Sequence, residues 1–361
     1  MKHPRNASKR AGLGLVLLMV SALPGCDNVS WGGADVAVVP PPPGGGGGPR
    51  TPEDEAMATE PLPQGPILYY VARTAGQALM TPVAQLAEDS LVPLRGTSDA
   101  RVFANRFVAE HLRQGSEFDL FTRGARVGTF VVQSAQLPAQ DVCPLLPVAR
   151  GVLELGVAAD SVNEFLAIAK PYSPSVAARR TSAPETSGRM RFVAPILAER
   201  MLRTRNAELP GNWQAAMEQV YAIPASGRAD AGFASTFLVG DEIGTGNDDQ
   251  GYALFFLAMP TMSQTGWDTV YVDYRNYAET RKAAPRVIDY LDWTRDDQVE
   301  ILLQVYGTQD TWFEAVSRDA QGQWRRVLHD RCQERGRPSL MPQLPPAPVA
   351  EPDTAAVGGD G

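Results

Sequence analysis

Histidine and cysteine are scarce in this chain, with three of each in 361 residues. That scarcity removes most chemistry built on imidazole or thiolate. His111 and His329 are the two histidines beyond the leader, and an isolated histidine on a helix or strand is more often a packing residue than a base. No H-E-x-x-H, C-x-x-C, G-x-S-x-G, S-x-x-K or P-loop pattern occurs, so the signatures of zinc proteases, thiol redox proteins, esterases, penicillin-binding enzymes and nucleotide sites are missing. The glycines Gly240, Gly244, Gly246 and Gly251 fall in a predicted hairpin. They do not bridge a strand and a helix, so they are not a dinucleotide fingerprint. Asp248 and Asp249 are paired carboxylates, but sequence neighbours do not supply the separation a glycosidase needs. No catalytic residue and no cofactor is assigned.

Lysine is nearly missing beyond residue 10, where only Lys170 and Lys282 occur and arginine takes its place. Positive charge is short overall. The net charge is −8, and removing the four positive charges of Lys2, Arg5, Lys9 and Arg10 leaves −12. An acidic body argues against nucleic acid as a partner and against electrostatic binding to anionic lipid. Long hydrophobic runs are missing too. The longest, AGLGLVLLMVSAL at 11–23, is too short for a bilayer core, which needs about 20 residues.

What is present at the start has the form of an export signal. A basic stretch without acids, a short apolar middle and a small residue before a cut point make up residues 1–25. Leu23-Pro24-Gly25-Cys26 then resembles the lipobox of bacterial lipoproteins, with an aliphatic residue three before the cysteine and Gly immediately before it. Pro24 stands where that family usually has a small residue. The resemblance covers residues 1–26 only. It implies that the Cys26 thiol carries a diacylglycerol, that Cys26 becomes the mature N-terminus, and that the lipid is the membrane partner. Asp27 resembles the inner-membrane retention signal of enteric bacteria. The implied location is exported and membrane-anchored, facing the periplasm or the cell exterior.

Residues 26–66 read as a tether. The run VVPPPPGGGGGPR and the acidic, proline-rich stretch after it cannot bury enough apolar surface to offset chain entropy. About 40 flexible residues reach roughly 35 Å. With Cys26 taken by lipid, Cys143 and Cys332 remain as an even pair in an oxidising compartment. Either they form a disulfide closing a loop of about 190 residues, worth up to about 5 kcal/mol, or they are two separate thiols.

The remaining chain predicts an α+β fold, mainly antiparallel β-sheets with a few short helices, in two subdomains. The first spans 67–172. ILYYV at 67–71 reads as a strand, and 79–94 as short edge strands and turns because of its prolines. Residues 98–113 read as a helix with Phe103, Phe107 and His111 on one face. EFDLFT and RVGTFVVQ flank a Gly-containing turn and form a hairpin, in which Gly128 marks a bulge or a close backbone approach. Further strands are expected at 150–156 and 162–169. A linker covers 173–188. The second subdomain, 189–335, opens with a helix at 195–206 and a short helix capped by Asn212 that carries Trp213, Met217, Val220 and Tyr221. A run of strands follows to His329. Among them YALFFLAM, apolar throughout, is placed centrally. Residues 336–361 return to proline and glycine and read as a tail.

Two acidic turns deserve a ligand test. Asp241, Asp248 and Asp249 gather oxygens between two predicted strands, which suits calcium or simply a solvated turn. Asp292, Asp296, Asp297 and Glu300 lie in DWTRDDQVE. That stretch resembles the Asp-rich turns of VCBS and FG-GAP type repeats of extracellular β proteins, with Thr294 and Arg295 where the pattern has a ligand Asp and a Gly. Trp213, Trp267, Trp293, Trp312 and Trp324 crowd the second half. They suit a glycan or protein platform, or sheet packing, and packing is the preferred reading. The function that emerges is a lipid-anchored cell-envelope protein acting by binding or structure, with an envelope protein or glycan as partner. The alternatives are an exported hydrolase with an unfamiliar site and a calcium-supported carbohydrate or adhesion module.

Overall fold

A computed structural model of the chain describes residues 61–74, 77–87, 90–94, 100–137, 146–174, 183–225, 230–246, 250–261, 266–308 and 311–329. Cys26, Cys143 and Cys332 lie outside these residues, as do Asp248 and Asp249. All described residues belong to one compact unit.

The first part of that unit is built from β1 (Ile67–Thr74), β2 (Gln77–Ala87), β3 (Ser90–Pro93), α1 (Ala100–His111), β4 (Glu117–Thr122), β5 (Ala125–Gln136), β6 (Val148–Leu155) and β7 (Glu164–Ala169). Every pairing is antiparallel, and the order β1-β7-β4-β5-β6-β2 closes because β2 pairs again with β1. The result is a six-stranded barrel, with β3 added on β2. The α+β expectation is corrected here: the helices are few and the sheets antiparallel, but the first sheet is a closed barrel. Closure depends on the β1–β7 pairing, between Leu68–Ala72 and their partners Ile168–Glu164. Strand alternation reveals faces and not such distant partners. Closing the ring leaves no edge among these six strands.

Alternation sorts the side chains. Tyr69, Val71, Phe118, Leu120, Phe130, Phe165 and Ala167 fill the interior, joined by Phe103 and Phe107 of α1. Leu68, Ala84, Leu86, Phe121, Leu166 and Ile168 point outward into a second cluster. The expected close approach at Gly128 is present. A Cβ there would come within 2.3 Å of the Glu154 carbonyl oxygen, so only glycine lets β5 and β6 meet. Residues 79–94 differ from expectation. Most of them belong to β2, an eleven-residue strand paired on both sides. Pro82 is accommodated because β2 changes neighbours there, pairing β6 through Ala78–Met80 and β3 through Ala84–Ala87.

The second part opens with α2 (Gly188–Thr204) and α3 (Trp213–Ala216), followed by β8 (Met217–Ile223), β9 (Gly232–Val239), β10 (Tyr252–Pro260) and β11 (Trp267–Asn276). A single turn, α4 (Tyr277–Thr280), leads to β12 (Ala284–Leu291), β13 (Glu300–Tyr306), β14 (Thr311–Arg318) and β15 (Trp324–His329). Strands β8–β11 form one antiparallel meander and β12–β15 another. The first meander faces the second through Phe255, Leu257 and Met259 against Val287, Tyr290, Ile301 and Leu303. Behind the second lies the barrel, with Leu291, Trp293, Leu302 and Leu328 against the outward barrel residues. Behind the first lies α2, through Met190, Ala194, Leu197, Ala198 and Met201. The layers therefore run barrel, sheet, sheet, helix. β10 is central in its sheet and buried along its whole length because both its faces are covered.

Two helix expectations change. α2 begins at Gly188, seven residues before Pro195, and Ser187 caps it by accepting a hydrogen bond from Met190 N. Pro195 sits inside the helix, where it cannot donate to the Arg191 carbonyl. Arg191 is exposed, so water can serve that carbonyl. The helix expected after Asn212 lasts one turn, and Met217–Ile223 is strand. Val220 and Ala222 face α2 while Tyr221 and Ile223 face the other sheet, a period of two that a short helical window conceals. Among the described residues no helix is long and apolar enough to cross a membrane.

Candidate functional site

The turn joining β12 to β13, residues 292–299, draws three carboxylates together. One oxygen each from Asp292, Asp296 and Glu300 lies within 4.8 Å of the others. The backbone explains the convergence. Asp292 Oδ1 accepts from Asp296 N at 3.1 Å and its Oδ2 from Asp297 N at 3.1 Å, folding the turn over the aspartate. Arg295 and Asp297 take φ of 66° and 64°, a left-handed conformation that glycine adopts at least cost. The Arg295 guanidinium donates to the Tyr172 carbonyl at 3.1 Å.

Glu300 opens β13 and is 1% exposed. Its Oε2 accepts from Trp293 N at 2.8 Å, and its Oε1 from the Thr294 hydroxyl at 2.6 Å. Thr294 therefore binds the glutamate. Burial pushes the Glu300 carboxyl up to about 7, and burial also raises Asp292. Three carboxylates at this distance repel one another unless a proton or a cation intervenes. The oxygen-only donor set suits a hard cation such as calcium, which takes six to eight oxygens.

Asp241 sits differently. Its carboxylate accepts from the Tyr277 hydroxyl at 2.8 Å and pairs with the buried Lys282 ammonium. Both oxygens are thus engaged by donors of the chain itself. His111 ends α1 with its ring 4.7 Å from that of Phe107, and burial lowers its basicity. His329 belongs to β15, opposite Glu314. The five tryptophans of the second part are buried or half-buried. Trp312 Nε1 donates to Glu314 Oε1 at 3.0 Å, Trp267 Nε1 donates to the Ala231 carbonyl at 2.9 Å, and Trp213 packs edge-on against Phe237. These contacts are those of packing side chains.

The chain matches no protein-family model, no curated protein and no solved structure.

Other charges, some buried and some partly exposed, join the layers, and no local sequence pattern singles them out. Asp289 of β12 accepts from Arg123 N of the barrel, from Tyr290 N at 2.7 Å, and from the Tyr221 hydroxyl of β8 at 3.0 Å. One carboxylate thereby ties the barrel to both sheets. Burial raises it to about 6. Glu164 of β7 receives both arms of the Arg286 guanidinium, at 2.7 and 2.5 Å, together with the Tyr70 hydroxyl. Arg275 of β11 reaches Asp273 at 2.5 Å and Glu314 of β14 at 2.6 Å, and Arg326 of β15 reaches Asp273 at 2.7 Å. Gln219 of β8 mimics a strand partner, bonding the Val287 carbonyl and amide at 3.0 and 2.8 Å. Apart from Asp273 beside Arg275 and the Tyr290 amide beside Asp289, the partners come from distant segments, so no local pattern marks these residues.

Proposed function

We propose that this protein is a lipid-anchored component of the cell envelope, held at Cys26, whose β-rich body acts as a binding or structural element and not as a catalyst. The lipobox-like Leu23-Pro24-Gly25-Cys26 supports the anchor. The observation that carries the non-catalytic reading is the use made of the charges at the layer boundaries. Asp289, Glu164, Arg286, Arg275 and Glu314 all have partners across layer boundaries. Groups committed in this way brace a body. Labelling cells with a radioactive fatty acid tests the anchor. Label is expected on the native chain and not on Cys26→Ser, and a labelled Cys26→Ser chain overturns the reading.

A second reading rests on the convergence of Asp292, Asp296 and Glu300. It makes the body a calcium-supported module whose β12–β13 turn is held by the ion. Thermal unfolding with calcium and with a chelator distinguishes the two. Calcium is expected to raise Tm in the native chain and to have no effect on Asp296→Asn. An unchanged native Tm at millimolar calcium removes the reading.

A further inference from the structure

The body is acidic as a whole, yet its outermost layer is not. α2 carries Arg189, Arg191, Arg200 and Arg203 against the single acid Glu199. The helix buries Met190, Ala194, Leu197, Ala198 and Met201 on the sheet. The opposite face holds Phe192, 72% exposed, and Ile196, 49% exposed, one turn apart. These are large apolar side chains left in water, with arginines on either side. Arg191 and Arg200 are exposed and make no ion pair among the described residues, whereas Arg203 is held by Glu199 at 2.6 Å. Arg189 lies over the Trp267 ring at 4.9 Å, which secures the start of the helix to the sheet.

We infer that this face of α2 docks on an anionic lipid surface. A basic helix face with a few protruding apolar side chains lies in the headgroup region, its arginines on lipid phosphates and its apolar tips just below. Net charge does not oppose this, because at physiological salt charges more than about 8 Å from the contact are screened. The rest of the body counts for little there. Two apolar side chains are too few for a stable protein interface, which buries about 800 Å² on each partner. A second copy fits poorly as well. A two-fold contact sets a patch against itself, and here a net positive face would meet its like. The inference extends the proposed anchoring, since a lipid at Cys26 would keep the chain at a membrane.

The test uses residues 26–361 as Cys26→Ser, so that neither lipid nor leader is attached, on vesicles of phosphatidylcholine with and without phosphatidylglycerol. Two further forms add Phe192→Ser with Ile196→Ser, or Arg191→Glu with Arg200→Glu. All sites are exposed, and circular dichroism confirms that each form folds. Co-sedimentation should depend on phosphatidylglycerol, fall about tenfold or more in both further forms, and disappear in about 1 M salt. Equal binding of the three forms, or equal binding to vesicles without phosphatidylglycerol, overturns the inference. So does failure to bind vesicles with retention on an acidic protein, which would assign the face to a protein partner. Fatty-acid labelling at Cys26 is read separately. Label without helix-dependent binding defeats this inference alone, and helix-dependent binding without label defeats the tether alone.

Discussion

The barrel and the paired sheets solve the same problem in different ways. Both must satisfy strand hydrogen bonds and cover apolar faces. The barrel does so by closure: β1 pairs with β7 and with β2, and its interior is filled from its own strands and α1. The sheets do so by stacking. β9 and β10 are buried on both faces only because α2 lies on one side and the second sheet on the other. A closed element can hold its core alone, whereas a stacked one depends on its neighbours. The joints at Asp289 and at Glu164–Arg286 then couple one element to the other.

The largest expected effect comes from Phe255→Ala. Phe255 is fully buried between the two sheets, and loss of a buried phenyl ring costs about 3–5 kcal/mol. Denaturation should show the loss in tryptophan emission, since the described tryptophans lie in the stacked part. Amide exchange in β4–β7 sharpens the comparison. If barrel protection falls with that of the sheets, the two parts unfold together. If it stays intact, closure makes the barrel independent.

A smaller effect is expected from pH, through the joint itself. Burial raises Asp289 from 3.8 to about 6 in the folded chain, so the folded state holds that proton more tightly than the unfolded state. Stability from this group is present below about pH 4 and is lost as pH rises through 6, by up to about 3 kcal/mol. Glu300 acts in the same direction, up to about 7. Unfolding free energy measured against pH should fall across this window, and Asp289→Asn should flatten the lower part of the fall. An unchanged slope in Asp289→Asn would show that the joint does not titrate as its burial requires.

The smallest effect is expected from Glu164→Gln, which removes the charge facing Arg286. Both side chains are partly exposed, at 31% and 21%, so water screens the pair and the loss should be about 1–2 kcal/mol. A shift confined to the sheet transition, with barrel exchange unchanged, would mean that this contact braces the sheets without supporting the barrel.

Much of the local structure was legible in the chain. EFDLFT is β4, residue for residue, and YALFFLAM falls in β10 at the centre of its sheet. Alternation and continuous apolar runs report directly which faces are covered. The Asp-rich stretch 292–300 was legible as an oxygen-rich turn between strands. That Glu300 points back under Trp293 and Thr294 was not, because that depends on hydrogen bonds across the turn. β8 was hidden because Asn212 does start a helix, which ends after one turn when the sheet claims the next residues. α2 was shortened in the reading because Pro195 looks like a start, and only packing shows the helix running through it.

The sequence by itself determined most strand positions, the acidic balance and the lipobox-like leader, because each is written in neighbouring residues. Tertiary structure alone decided the closure of the barrel, the stacking of the two sheets, the buried joints and the basic outer face of α2. These arise where segments far apart in the chain meet, and which face of a helix stays in water is settled only when the other face finds a sheet to cover.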